Sequence, residues 1–135
     1  MSSETAAPQP IHLTQLTQIA ITVSDLARST AFYRDILGLQ FLFDAGAMAF
    51  LQCGGVRILL GLAEPGKSIS TPATILYFEV DDLAATHAIL QSLDVPFLQP
   101  PHLIAKMPSH DLWLAVLTDP DNNPVGLMSE LPRSS

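Results

Sequence analysis

Two histidines, a lysine and an aspartate lie close together in one stretch of the chain, PHLIAKMPSHDLW, at residues 101–113. The imidazoles of His102 and His110 can move a proton near neutral pH, and the ammonium group of Lys106 can bind an anionic or carbonyl group. One interpretation is that the stretch forms part of a ligand-binding site. Two alternatives stay open. The histidines could bind a metal, although Asp111 is the only carboxylate near them. The stretch could also be a solvated loop whose histidines bond to backbone groups.

The alternation of side chains along a strand predicts how this stretch presents its polar groups. If residues 102–107 (HLIAKM) are extended, His102 and Lys106 share one face and Leu103 lies on the other. Prolines at positions 100, 101 and 108 bracket the segment and stiffen it. Trp113, which ends the stretch, is interpreted as a ligand contact or as a contact of the core or of a dimer.

The composition limits the class of protein and its partners. Of the 135 residues 48% are hydrophobic and 14% are charged, and the formal net charge is -7. Such a chain can bury a sufficient core as one domain, offers no basic face to nucleic acid or to an anionic membrane, and has no apolar run of about 20 residues. Cys53 is the only cysteine, which excludes an internal disulfide and indicates a buried, inert thiol. We expect a cytoplasmic protein with a flexible tail at residues 1–13.

Two segments of the chain repeat the same order of parts. ITVSDLARSTAFYRDILGLQF and FEVDDLAATHAILQSLDVPF each predict a short strand, an acidic N-cap, an amphipathic helix, a turn and a new strand. Asp25 and Asp82 stand where a carboxylate accepts free backbone N–H groups at a helix start. Gly38 supplies the left-handed residue that ends the first helix, and Asp94 takes that place in the second.

The remainder of each half also corresponds. AFLQCGGVRILLGL and AVLTDPDNNPVGLMSEL each predict an apolar strand, a turn and a final apolar strand. The sequence therefore predicts a single domain over residues 14–135. Its first module covers residues 17–63, a polar linker covers residues 64–73, and the second module covers residues 74–131.

The segments IAITVSDLARSTAFYRDILGLQF, FEVDDL and LTDPDNNPVGLMSE resemble the vicinal oxygen chelate superfamily, which includes glyoxalase I, bleomycin-resistance proteins and extradiol dioxygenases. The resemblance implies an α+β fold in which two βαβββ modules form a half-open barrel around a small-molecule cavity, usually within a homodimer. It identifies a fold better than a reaction.

Family enzymes generally hold a divalent metal with four equivalent strand positions. By the resemblance these positions fall on Gln18, Leu59, Ile75 and Gly126. Only the amide of Gln18 offers a lone pair that a metal would use. We therefore expect no family metal site and no cofactor, and an apolar cavity floor that suits an organic ligand.

Polar residues on neighbouring positions are the further candidates for the cavity. Tyr77 and Glu79 share the strand face of Ile75, and Arg57 precedes Leu59 by one such step. Glu79 would be costly to bury unpaired, so it reaches solvent or meets a cation such as Arg57, and it could act as a general base.

The sequence thus predicts a metal-independent protein that binds a small organic molecule. The alternative is a lyase, isomerase or dioxygenase that uses an atypical metal site or histidine acid/base chemistry. No catalytic residue is assigned, and the candidates are His102, His110 and Glu79. The predicted ligand-binding residues are Gln18, Arg57, Leu59, Ile75, Tyr77, His102, Lys106, His110, Trp113, Gly126 and Met128.

Overall fold

The structure is a computed structural model that describes residues 10–63 and 74–132. The predicted linker and most of the predicted tail lie outside the described residues. The first half contains β1 (Gln18–Val23), α1 (Leu26–Ala31) with a π-helical turn (Phe32–Ile36), β2 (Gln40–Ala45), β3 (Met48–Cys53) and β4 (Val56–Leu62). The second half contains β5 (Leu76–Glu79), α2 (Leu83–Ser92), β6 (Phe97–Lys106), β7 (His110–Thr118) and β8 (Pro124–Pro132).

The two halves have the same topology. Their sheets have the strand orders β1-β4-β3-β2 and β5-β8-β7-β6, so the first strand pairs with the last strand of its half in each case. That pairing is parallel in both sheets, and the other pairings are antiparallel. The predicted α+β fold with two βαβββ modules is confirmed.

Local signals in the sequence account for the helix boundaries. Asp25 accepts a hydrogen bond from the backbone N–H of Arg28 at 3.0 Å, and Asp82 accepts one from Ala85 at 3.0 Å. Both carboxylates therefore cap helix starts as predicted. Gly38 and Asp94 have φ values of 79° and 61°, which confirms the left-handed residue after each helix.

One face of each sheet packs under its helix, and the two modules contribute to one core cluster. This cluster contains Val23, Phe32, Tyr33, Ala49, Leu51, Ile58, Leu60, Leu83, Leu90, Val95, Ala115, Leu117, Val125 and Leu127. The opposite face of each sheet points away from this core. We call this surface the first open face in the sheet of β1 to β4 and the second open face in the sheet of β5 to β8. Among the described residues, no helix has the length and apolarity needed to cross a membrane.

The turn between β7 and β8 ties the second module to the first. The Tyr33 hydroxyl donates a buried hydrogen bond of 2.8 Å to Asp119. Asp121 accepts from the backbone N–H of Ser24 at 3.1 Å and pairs with Arg28 at 3.3 Å. Asp119 also accepts from the backbone N–H of Asn123 at 2.8 Å. Each of the two carboxylates therefore has more than one polar partner.

Candidate functional site

Two parallel rows of side chains cross the first open face. Residues directly opposite each other on paired strands present their side chains on the same face. The register therefore gives a polar row of Gln18, Arg57, Gln52 and Gln40. The neighbouring apolar row contains Ala20, Leu59, Phe50 and Phe43.

Arg57 joins the two rows. Its Nε donates to the side-chain oxygen of Gln18 at 2.7 Å, and its guanidinium carbon lies 5.9 Å from the ring centre of Phe50. Phe50 in turn stacks on Phe43, with ring centres 4.6 Å apart and an interplanar angle of 24°. The guanidinium is thus held in place while it stays exposed.

A tyrosine ring covers a glycine on the second open face. Tyr77 of β5 lies directly opposite Gly126 of β8. A Cβ atom at Gly126 would lie 2.1 Å from Cδ1 and 2.4 Å from Cε1 of Tyr77, so this ring occupies the space that a side chain would need. In the first module the equivalent strands pair Ala20 with Leu59. In the first module the larger residue of the pair is therefore Leu59, on the last strand. In the second module it is Tyr77, on the first strand.

The stretch at residues 101–113 is mostly strand, which corrects its interpretation as a solvated loop. β6 continues to Lys106 and β7 begins at His110, so only residues 107–109 connect them. The prediction that His102 and Lys106 share a face is also wrong. The register shifts between Leu103 and Ala105, because a bulge inserts one extra residue into β6 and reverses the alternation beyond it.

The register separates the polar groups of this hairpin. His102 pairs with Leu114, and His110 lies on the same side of β7 as Leu114, so both imidazoles belong to the second open face. Lys106 pairs with Asp111 on the other face. Trp113 also lies on that other face, where it packs against the core.

The hydrogen bonds of the histidines are local. Nδ1 of His102 lies 2.8 Å from the carbonyl oxygen of Pro100, and Nδ1 of His110 lies 3.2 Å from the hydroxyl of Ser109. Nε2 of His110 also lies 3.8 Å from a carboxylate oxygen of Glu130, at ion-pair distance. With residues spaced about 3.3 Å apart along a strand, the four-residue step from Leu114 to His110 places the two histidines roughly 13 Å apart. The two imidazoles therefore start from well-separated positions on the hairpin backbone.

Glu79 lies on the second open face and is exposed. Of its two predicted environments, solvent or a neighbouring cation, exposure agrees with solvent. It heads a row that continues through Met128 and Leu114 to His102. Three strand spacings of about 4.8 Å separate the ends of this row by roughly 14 Å, so Glu79 and His102 do not form a direct acid/base pair. Cys53 is half-buried and not fully buried as expected.

Sequence reasoning did not find Phe43, Phe50, Gln40 and Gln52. Simple alternation places Phe41 and Phe43 on the same side of β2. A register shift between them sends Phe41 to the core and leaves Phe43 opposite Phe50 on the open face. The alternation of Phe50 and Gln52 with Leu51 in β3 was the one signal that could have placed Phe50 and Gln52 on the face opposite the core.

These features define a paired-βαβββ protein, and comparison with known proteins identifies its family. The chain belongs to the Glyoxalase/Bleomycin resistance protein/Dioxygenase superfamily, whose model matches residues 15–127. The predicted half-open-barrel fold class is thereby confirmed. Among curated proteins, it is similar to the metallothiol transferases FosB of Staphylococcus haemolyticus and Staphylococcus epidermidis, with 32% identity over 69 residues. This region covers 50% of the chain and 50% of each relative, so the chain spans about half the length of the curated relatives it matches.

Solved structures in the same superfamily show the same fold. A lactoylglutathione lyase from Agrobacterium tumefaciens has a TM-score of 0.68 and 22% identity, covering 87% of this chain and 94% of the other. A glyoxalase/bleomycin resistance protein/dioxygenase from Alicyclobacillus acidocaldarius has a TM-score of 0.68 and 17% identity, covering 86% of this chain and 91% of the other. These likenesses concern the fold alone.

The residues at the positions that the sequence resemblance assigns to a metal do not fit a divalent ion. Gln18 offers an amide oxygen that already accepts from Arg57, and Leu59 and Ile75 offer no donor. The fourth position, Gly126, is covered by the Tyr77 ring. Within residues 10–63 and 74–132, no three His, Cys, Asp or Glu side chains form a group that could hold a metal ion.

Proposed function

We propose that this protein binds a small organic molecule on its open faces without the metal that related enzymes use. The observation that carries the proposal is the Tyr77 ring in the space that any side chain at Gly126 would need. Because a metal site requires three or more converging lone pairs, a phenyl ring at one position and aliphatic side chains at two others support an apolar ligand site instead.

Most of the predicted ligand-binding residues belong to the two open faces. Those that the register assigns to them are Gln18, Arg57, Leu59, Tyr77, Gly126, Met128, His102 and His110. Lys106 and Trp113 belong to the opposite face of the second sheet. The exposed apolar residues of the open faces, among them Phe43 and Tyr77, also support the predicted homodimer, because a second copy would shield them from water. A cytoplasmic location remains part of this proposal.

The alternative is a lyase, isomerase or dioxygenase. Two imidazoles on one face favour it, since either could exchange a proton with a bound substrate. Their separation argues for single proton transfers by His102 or His110 and against a joint acid/base mechanism.

Metal analysis of the purified protein tests the proposal directly. We expect less than stoichiometric divalent metal after exchange into metal-free buffer, together with thermal stabilisation by members of a small-molecule library. A stoichiometric divalent ion that is lost in Gln18→Ala would contradict the proposal. If the stabilisation by bound ligand is unchanged in His102→Ala and His110→Ala, neither imidazole belongs to the site.

A further inference from the structure

The first open face presents a polar row and an apolar row that meet at Arg57. A ligand that covers both rows needs one polar edge and one flat apolar body. The polar row holds three glutamine amides and a single cation. A ligand that matches this row therefore carries a negative charge on its polar edge. The apolar row offers the side chain of Leu59 and the ring of Phe50 within one strand spacing of each other.

Arg57 is a cation without a carboxylate partner in the described parts of the chain. The other two arginines there are paired, Arg28 with Asp121 at 3.3 Å and Arg34 with Asp35 at 2.8 Å. A protein of net charge -7 has an excess of carboxylates, so it is unusual that none of those described pairs with this exposed guanidinium. Among the described residues Gln18 accepts only from Nε and the four N–H groups on the two terminal nitrogens have no acceptor, so they can donate to an anion, and their fork matches a carboxylate.

The phenyl rings supply the second half of the site. Phe43 is 50% exposed and stacks on Phe50, so a pair of aromatic rings lies at the surface of the sheet and not in its core. An aromatic ligand on Leu59 and beside Phe50 would bury this apolar area, and aromatic pairs favour edge-to-face as well as offset-stacked contacts. Its carboxylate would then be next to the guanidinium that borders Phe50.

We propose that the first open face binds a small planar aromatic carboxylate. The acid group is held by the terminal nitrogens of Arg57, and the ring lies on Leu59 and Phe50 with Phe43 as support. This inference rests on the proposed function, whose ligand it assigns to a chemical class and to one sheet.

Titration calorimetry of the full chain with 2-naphthoate and its neutral analogue 2-naphthamide tests this inference. The wild-type protein is expected to bind the acid at least about ten-fold more tightly than the amide, because only the acid offers the guanidinium a charged acceptor. Arg57→Gln should remove that preference. Arg57→Lys, which keeps the charge but not the fork, should retain only part of it. Phe50→Leu should weaken both compounds to the same extent.

Arg34→Gln is the matched control. Arg34 also lies over a phenyl ring, with its guanidinium carbon 5.8 Å from the ring centre of Phe41, but both of its bonded nitrogens are taken by Asp35. This variant should bind 2-naphthoate like the wild type. Equal binding of acid and amide by the wild type, or unchanged acid binding by Arg57→Gln, would overturn the inference.

The outcome is distinct from a failure of the proposed function. If library compounds stabilise the protein and Tyr77→Ala abolishes their effect while 2-naphthoate does not bind, the aromatic-carboxylate inference fails and the proposed function stands. If Phe43→Ser dissociates a dimer and naphthoate binds to neither form, a second copy covers the face, which also overturns the inference.

Discussion

At the residue scale, the contact between Tyr77 and Gly126 explains why position 126 has no side chain. A glycine in a strand indicates close approach by a ligand, another backbone or a packing neighbour. The sequence does not distinguish among these, because the partner at position 77 becomes a neighbour only through the parallel register of β5 and β8. The structure identifies the neighbour as a side chain of the same sheet.

Gly126→Ala should destabilise the protein by about 1–3 kcal/mol, because the new methyl group forces the Tyr77 ring to move. Urea unfolding measures this loss. Gly61→Ala is the matched control, since Gly61 lies in β4 and no atom comes within 4 Å of its added Cβ. In the double variant Tyr77→Ala/Gly126→Ala, the penalty from the methyl group should disappear. If the loss persists there, its cause is the backbone of Gly126 and not the ring.

His87 is a second residue whose environment is evident only in the structure. It lies in α2 with its ring 4.6 Å from that of Phe97, and among the described residues its buried Nε2 has no hydrogen-bond partner. An unsatisfied buried polar atom costs about 1–3 kcal/mol, so His87→Leu should raise the free energy of unfolding by about 1 kcal/mol. His12→Leu changes an exposed histidine and should have no such effect. A destabilised His87→Leu would show that a water molecule satisfies this nitrogen.

At the element scale, the sequence predicts what depends on local chemistry and fails where strands pair. Asp25, Asp82, Gly38 and Asp94 act within their own turns, so the repeat of strand, helix and turn could be predicted from the residue types. The register shifts, one in β2 and three in β6, depend on how each strand meets its neighbour. They reverse the face of every side chain beyond them, which is why Phe43 was missed and Lys106 was placed on the wrong face.

The π-helical turn after α1 places Tyr33 where it bonds to Asp119 of the other module, and this contact makes stability depend on alkaline pH. Burial and the neighbouring carboxylate raise the pKa of Tyr33 far above the ordinary value near 10. A group whose pKa is raised by folding stabilises below its unfolded pKa and loses that contribution as pH rises. The free energy of unfolding should therefore fall by about 1.4 kcal/mol per pH unit above pH ~10.

Tyr33→Phe should be less stable at neutral pH and should lack this part of the alkaline loss, as measured by urea unfolding between neutral and alkaline pH. Tyr77→Phe removes the only other tyrosine and keeps Tyr33, so it should retain the loss. The same slope in Tyr33→Phe and the wild type would assign the alkaline loss to other groups.

At the scale of the whole molecule, a shared core and one turn make two similar modules into a single unit. The core cluster draws on both modules, and Tyr33 and Ser24 of the first module donate hydrogen bonds to Asp119 and Asp121 of the second. Within the part of the chain that the structure describes, the core cluster and these hydrogen bonds do not involve the open-face residues named above. Residues of the open faces can therefore differ without weakening these contacts between the modules.

This arrangement predicts that the two modules unfold together. The only tryptophan, Trp113, reports on the second module, whereas far-UV circular dichroism reports on both, and the two transitions in urea should coincide. Asp121→Ala removes the bonds to Ser24 and Arg28 from a side chain only 7% exposed, so it should cost about 1–3 kcal/mol and still leave one transition. Asp44→Ala, which removes the same charge from the exposed edge strand β2, should cost far less. If the fluorescence transition separated from the dichroism transition in the wild type, the modules would be independent folding units, and the contacts through Asp119 and Asp121 would not couple them.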